Sequence, residues 1–375
     1  MQSLLPVMRL ITVHEVVSFL NEVAPFSLQE SYDNSGLLAG DPGDQVNGIL
    51  VSLDMTEAVV DEAIKKGCNV VVSHHPILFR PLKSLTGKNH VERTVMRALR
   101  NHVSLVAVHT NLDNIIGGVN AVIADKIGII KPKILVPSKG NLLKLVTFVP
   151  EGHEGDVLDA IHRAGAGAIG NYSHCSFRSP GTGSFRPEES STPVLGTIGS
   201  QEEVAEIRLE VVLPVHAEKA VIAALKGSHP YEEVAYFMTP LTNQHQDTGA
   251  GMIGKLDRPL SELEFLNLLK NSFLTGSIRY TPLPGKAVET VAICGGSGSF
   301  LLPAAQAAGA DAFVTADFKY HEFFDADGQI MIADIGHYES EQFTVNLLGA
   351  LLSKKFTTFA TIFSEIVTNP IRYHN

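Results

Sequence analysis

The chain has 375 residues, and at about 150 residues per domain this predicts two hydrophobic cores. Hydrophobic residues at 45% and charged residues at 18% exclude a disordered chain, while a formal charge of −11 argues against nucleic acid as the main partner. Apolar runs such as Gly48–Leu53 and Val70–Ser73 are far shorter than the roughly 20 residues of a membrane helix, which excludes a spanning segment.

In chain order, Met1–Val13 lacks the basic start, apolar stretch and small-residue cleavage site of an export signal. Thr12 and Glu15 form a capping box before the apolar series Val13, Val16, Val17 and Leu20, which predicts an amphipathic helix. Strand and helix then alternate: strand Gly48–Asp54, helix Glu57–Lys66, strand Asn69–Ser73, helix Val91–Leu99, strand Ser104–His109 and helix Gly118–Ile127. Such alternation implies a mainly parallel sheet with helices on its faces.

The middle of the chain follows a different rhythm. Strand Lys144–Val149, helix Asp156–Arg163, strands Tyr172–Arg178 and Gly183–Arg186, strand Val204–Leu213, helix Ala217–Leu225 and strand Glu233–Met238 predict a split βαβ, ferredoxin-like unit. Pro180–Thr192, rich in Gly, Ser, Thr and Pro, reads as a hairpin or loop within it. A second capping box at Ser261 and Glu264 restores the α/β pattern, with strands Val288–Ile293, Ala312–Ala316 and Ile330–Ile335 and a last helix Glu341–Lys354. The expected organisation is α/β: a discontinuous α/β domain of residues 1–140 and 245–375, interrupted by an inserted α+β domain of residues 141–244.

The chemistry gathers where strands end. His74 and His75 follow a buried strand and precede Pro76, which keeps the chain extended there. Ligands of open α/β sheets bind beyond the carboxyl ends of strands, so the pair stands where chemistry usually collects. Asp113 follows the strand Ser104–His109, and His337 follows Ile330–Ile335. A helix starting near Tyr338 would place His337 and Glu341 one turn apart on a single face. Neighbouring strand residues point opposite ways, so His74 and His75 would serve two ions rather than chelate one. Imidazole with carboxylate suits Zn, Fe, Mn, Ni or Co, and two such ions need a bridging carboxylate from Glu341 or Asp113.

Any one of these histidines alone reads more simply as a hydrogen-bonded loop residue, and it is their convergence that points to metal. Gly295-Gly-Ser-Gly298 reads as a tight strand-to-helix turn, since it lacks the Lys and Ser/Thr of a phosphate-binding loop. Asp317 and His321 follow another strand and are expected in the same cleft, against second ligand contacts or substrate. Cys68, Cys175 and Cys294 form no C-x-x-C pair and read as buried small hydrophobes in a reducing, cytoplasmic compartment.

These residues stand in motifs whose order resembles one family. Tyr32-Asp-Asn-Ser-Gly-Leu37, Ser73-His-His-Pro76, His109-Thr-Asn-Leu-Asp113, Gly295-Gly-Ser-Gly298, Ala316-Asp-Phe-Lys-Tyr-His-Glu322 and Gly336-His-Tyr-Glu-Ser-Glu341 are similar to the NGG-one-interacting factor three family. Its members are also known as GTP cyclohydrolase I type 2 homologues and dinuclear metal centre proteins. The resemblance implies two divalent metal ions per subunit, held by His74, His75, Asp113, His337 and Glu341. Tyr32 stands where the family usually carries Trp. Gly170-Asn-Tyr-Ser-His-Cys-Ser-Phe177 and His229-Pro-Tyr-Glu-Glu-Val-Ala-Tyr236 look like the insert of the long bacterial members, similar to the ferredoxin-like fold of trimeric CutA. A toroidal homohexamer is implied in the same way.

Two functions follow as expectations. One is a metal-dependent hydrolase acting on a nucleotide-like or other small-molecule substrate, with attack at C8 of a guanine nucleotide and Asp317 or His321 as proton carrier. The alternative is a non-catalytic metal-binding assembly, regulatory or metallochaperone in role.

Overall fold

A computed structural model describes residues 10–374. Most of the opening stretch examined for an export signal lies outside the described residues. The chain divides into two compact units, one taking in the residues up to Val136 and from Thr248 onward, the other Pro137–Asp247. Among the described residues no helix is long and apolar enough to cross a membrane.

The discontinuous unit is α/β, and its alternation is shared between two sheets. The first runs in the order Gly36–Ala39, Ser104–Ala107, Val70–Ser73, Gly48–Ser52, Ala360–Phe363. Its first pair is antiparallel and the other three pairs are parallel. The three central strands are buried throughout, which is why they read as unbroken Val, Ile and Leu runs instead of alternating ones. The second sheet runs Arg279–Tyr280, Met331–Asp334, Ala312–Ala316, Val288–Ser297, Gln244–Leu260, Ile129–Lys139. Met331–Asp334, Ala312–Ala316 and Val288–Ser297 are parallel neighbours, and Arg279–Tyr280 and Gln244–Leu260 pair antiparallel on either side of them.

One core joins the sheets. Val51, Val72 and Val106 of the first and Val291, Val314 and Ala333 of the second share a cluster with Leu20, Ile123, Phe265 and Leu348 of four helices. Both predicted capping boxes are present, Thr12 with Glu15 opening Val13–Val23 and Ser261 with Glu264 opening Glu262–Phe273. The last predicted helix is two, His337–Glu341 and Thr344–Lys355. The strand Gln244–Leu260 carries Gly249, Gly251 and Gly254, which masked it in the sequence. Gly254 is required there: a Cβ would lie 2.5 Å from the Ile129 side chain of the neighbouring strand.

The inserted unit is a four-stranded antiparallel sheet in the order Phe177–Phe185, Glu202–Pro214, Leu142–Pro150, Tyr236–Leu241. Helices Glu154–Arg163 and Glu218–Ser228 complete the βαββαβ order of a split βαβ unit. One expectation is corrected. Residues 172–186 hold a single strand from Phe177 to Phe185, and Pro180 lies within it, opposite Ile207, instead of opening a hairpin. This strand is at the sheet edge, where Pro and Gly are tolerated because one flank makes no ladder bonds.

Candidate metal centre

The carboxyl ends of both sheets' parallel strands deliver the five predicted ligands to one place. His74 and His75 follow Val70–Ser73 directly, and Asp113 ends a single helical turn, Thr110–Asp113, after Ser104–Ala107. His337 and Glu341 open and close the short helix after Met331–Asp334.

Each imidazole is fixed through Nδ1, leaving Nε2 turned inward. His74 Nδ1–H donates to the Val108 carbonyl at 2.9 Å. His75 donates likewise to Asp54 at 2.7 Å, and His337 to Asp317 at 2.7 Å. A carbonyl oxygen only accepts, so the neutral His74 ring carries its proton on Nδ1 and offers the Nε2 lone pair. Anchoring the far nitrogen on a carbonyl or carboxylate is the usual support of metal-ligating histidines.

The inward atoms form two groups joined by Glu341. His75 Nε2 and His337 Nε2 lie 2.9 Å and 3.1 Å from Glu341 Oε2, and 3.2 Å from each other. His74 Nε2 lies 3.7 Å from Glu341 Oε1 and 3.7 Å from Asp113 Oδ1. The ligand atoms of His75, His337 and Glu341 fall within 4.8 Å of one another, as do those of His74, Asp113 and Glu341. Each carboxylate oxygen of Glu341 therefore serves a different set.

Two observations fit these residues to a cation. His74 Nε2 and Asp113 Oδ1 are buried and find no hydrogen-bond partner, which is costly unless another group satisfies their lone pairs. Behind them, Gly296 takes a left-handed φ of 58°, and a Cβ there would lie 2.4 Å from Glu341 Oε1. Glycine thus makes the cradle in which the carboxylate sits.

The charges are strongly perturbed. Burial opposes a charged His75, but hydrogen bonds to Asp54 and Glu341 outweigh it and hold the ring up at about 9. For His337 burial again works against the charge, and Glu341 and Asp317 prevail, raising it to about 11. Burial pushes Asp113 up to about 8, aided by the negative charge of Glu341. About a fifth of the Asp113 side chain is exposed, yet its Oδ1 is enclosed, so burial governs the oxygen that matters. Glu341 is held well below the ordinary carboxylate value because three imidazoles overcome its burial.

The two other predicted residues are placed differently. Asp317, with a left-handed φ of 60°, is the partner of His337 Nδ1, so it orients a candidate ligand. His321 is exposed and packs against Tyr320 and Phe324. Neither lines the cavity of about 910 Å³ that opens over the ligand group. The expected proton carriers are thus not at the open face.

Asp54 and His109 were missed by sequence reasoning. Asp54 ends the predicted strand Gly48–Asp54, the same strand-end address as the ligands, which was the available signal. His109 lines the cavity, and its Nδ1–H donates to Asp33 at 2.7 Å. Asp33 also accepts from the backbone N–H of Thr110 at 3.0 Å and of Asn34 at 2.7 Å. The motif Tyr32–Leu37 is thereby explained as a support for a fourth imidazole, whose ring nitrogen groups with those of His74 and His75 within 4.8 Å.

The chain is similar to known proteins over nearly its whole length. The Duf34/NIF3 (NGG1p interacting factor 3) family matches residues 11–370. The GTP cyclohydrolase 1 type 2 homolog of Halalkalibacterium halodurans is 37% identical over 372 residues, covering 98% of this chain and 100% of its own. That of Bacillus subtilis is 35% identical over 365 residues, covering 96% and 98%. Among solved structures, a Bacillus cereus protein related to NIF3 superposes with a TM-score of 0.86 at 35% identity, covering 98% of this chain and 100% of its own.

Proposed function

The chain belongs to the Duf34/NIF3 family, and from that premise we propose that it is a metal-dependent hydrolase of a nucleotide-like substrate. The observation that carries this reading is the division of one buried carboxylate, Glu341, between two ligand groups. In this reading His75, His337 and Glu341 hold one divalent ion, and His74, Asp113 and Glu341 a second. Zn, Fe, Mn, Ni and Co all suit this donor set, and such ions supply Lewis acidity and water activation when bound.

The protein's own groups do the rest. Val108, Asp54 and Asp317 fix the three rings so that their Nε2 atoms converge. His109, tied at Nδ1 to Asp33, keeps its other ring nitrogen for a proton and takes the role first given to Asp317 or His321. Exposed rings of Tyr32, Phe79 and Phe300 line the cavity and offer stacking surfaces to a planar base. The names of the relatives point to a guanine nucleotide. We also take the family's toroidal homohexamer as the assembly, which a mass measurement in solution checks directly.

The test is GTP turnover by protein of known metal content. Activity is expected to vanish on chelation and return with added metal, and His109→Gln is expected to lose turnover with its metal retained. If the loaded protein opens no guanine nucleotide, the non-catalytic reading, a regulatory or metallochaperone assembly, replaces this one. What favours that second reading is that the His109 ring nitrogen also groups with those of His74 and His75, where it would serve as a further ligand and leave no proton carrier at the cavity wall.

A further inference from the structure

The inserted unit contains a cavity of its own, remote in composition from the metal centre. Its volume is about 540 Å³, within the roughly 300–1,000 Å³ of small-molecule pockets. Phe148, Phe185 and Tyr231 stand in its wall, and Glu206 stands among them. The rings of Phe185 and Tyr231 lie 6.0 Å apart.

Glu206 is only 9% exposed. Its Oε1 accepts from the Tyr231 hydroxyl at 3.0 Å. Its other oxygen rests on the edge strand at Gly183, where a Cβ would lie 2.1 Å away, so the carboxylate fits there only against glycine. Burial and the neighbouring carboxylate push the Tyr231 phenol up to about 12, which keeps it a donor at neutral pH.

No cation answers this charge among the described residues. Arg208 shares the wall, but its guanidinium is bound to Glu210 at 2.8 Å. Glu232 and Glu233 line the same cavity and add to its negative field. A buried carboxylate satisfied by one neutral hydroxyl is half of an ion pair, and the cavity it faces is lined by aromatic rings, whose faces attract cations through their quadrupoles.

We propose that this cavity binds a small organic cation, with an ammonium group seated on Glu206 and flanked by the rings of Phe148, Phe185 and Tyr231. The carboxylate supplies the charge and the rings supply a surface that stabilises a weakly hydrated cation. Neutral or anionic molecules of the same shape gain only the apolar contact. This site is independent of the hydrolase reading and needs no metal.

Isothermal titration of the full chain with choline, spermidine and 3,3-dimethylbutan-1-ol tests it. The last is a neutral isostere of choline, with carbon in place of nitrogen. At least one ammonium compound is expected to bind, and the neutral isostere at least tenfold more weakly. Glu206→Gln keeps the shape, removes the charge and is expected to cost the ammonium compound at least tenfold. Gly183→Ala, on the edge strand, displaces the carboxylate and gives the same loss should the Gln variant fold poorly. The proposal is overturned if neither ammonium compound binds, if choline and its isostere bind alike, or if both variants bind as the wild type does.

Discussion

Replacing Gly296 by Ala perturbs the proposed centre without removing any ligand. The added Cβ would lie 2.4 Å from Glu341 Oε1 and 3.1 Å from a ring carbon of His337, where ordinary contact begins at 3.4 Å. The carboxylate must therefore retreat by about 1 Å, while metal–ligand distances tolerate only about 0.2 Å. Because Glu341 faces both ligand groups, each loses a donor. The expected cost in affinity is at least the roughly tenfold to hundredfold seen when an outer-shell partner is removed. A left-handed φ on Ala adds about 1–2 kcal/mol of backbone strain. Gly309→Ala separates the two effects, since its φ is 74° and a Cβ there meets nothing within 4 Å. Zinc content after dialysis and a competition titration against a chromogenic chelator read the affinity, and thermal melting reads the strain. If Gly296→Ala holds as much zinc as tightly as wild type, the assignment of Glu341 as a shared ligand is wrong.

Other consequences are as direct. Asp54→Asn weakens the hold on His75 Nδ1 and is expected to lower metal affinity by about tenfold to hundredfold with the fold retained; unchanged affinity would show that the contact is incidental. Asp317→Asn is expected to do the same through His337, so its metal content falls together with any turnover, contrary to a pure proton carrier. In the metal-free protein His75 is raised to about 9 from 6.5, so at neutral pH its ring is protonated and an incoming ion must displace that proton. Because His337 of the same ligand group is raised to about 11, apparent affinity should rise with pH through about 9 and level off only above about 11, and calorimetry in buffers of different ionisation enthalpy should detect proton release; a flat profile would contradict this. Glu92 accepts from the backbone N–H groups of Thr86 and Gly87 and is lowered from 4.5 to about 2. A depressed carboxyl stabilises the fold above its unfolded value and loses that contribution as pH falls. The gap in melting temperature between wild type and Glu92→Gln should therefore close on acidification, and a gap that stays constant would sink the assignment.

The centre was legible in the sequence because its ligands obey simple local rules. Unbroken Val and Ile runs mark strands buried on both faces, and Pro76 fixes where one of them stops. Residues 337 and 341 are one helical turn apart, and the turn forms. What stayed hidden depends on contacts that spacing does not encode. The second sheet gains Gln244–Leu260 and Ile129–Lys139, whose glycines, prolines and charges look like connecting segments until a neighbouring strand is known. The edge strand Phe177–Phe185 hid for the same reason, as Pro180 and its glycines read as turn residues, although a sheet edge tolerates them. Asp317 and His321 follow a strand end as the ligands do, but Asp317, at a left-handed φ, is turned to His337, and His321 is left on the surface.

The division of ligands between two sheets also bears on how the protein reaches its native state. His74, His75 and Asp113 are made early in the chain, but the Glu341 carboxylate that both groups need is made late, and so is the strand Ala360–Phe363 that borders the first sheet. Neither sheet can be completed from local contacts, since each recruits strands from both sides of the insertion. Long loops must close before those contacts repay the lost entropy, which places folding of this unit among slow, non-local reactions. The insertion, a compact unit continuous in sequence, has no such delay and is expected to fold first. Stopped-flow refolding would show this as a fast phase reporting the insertion and a slower one that alone responds to added zinc.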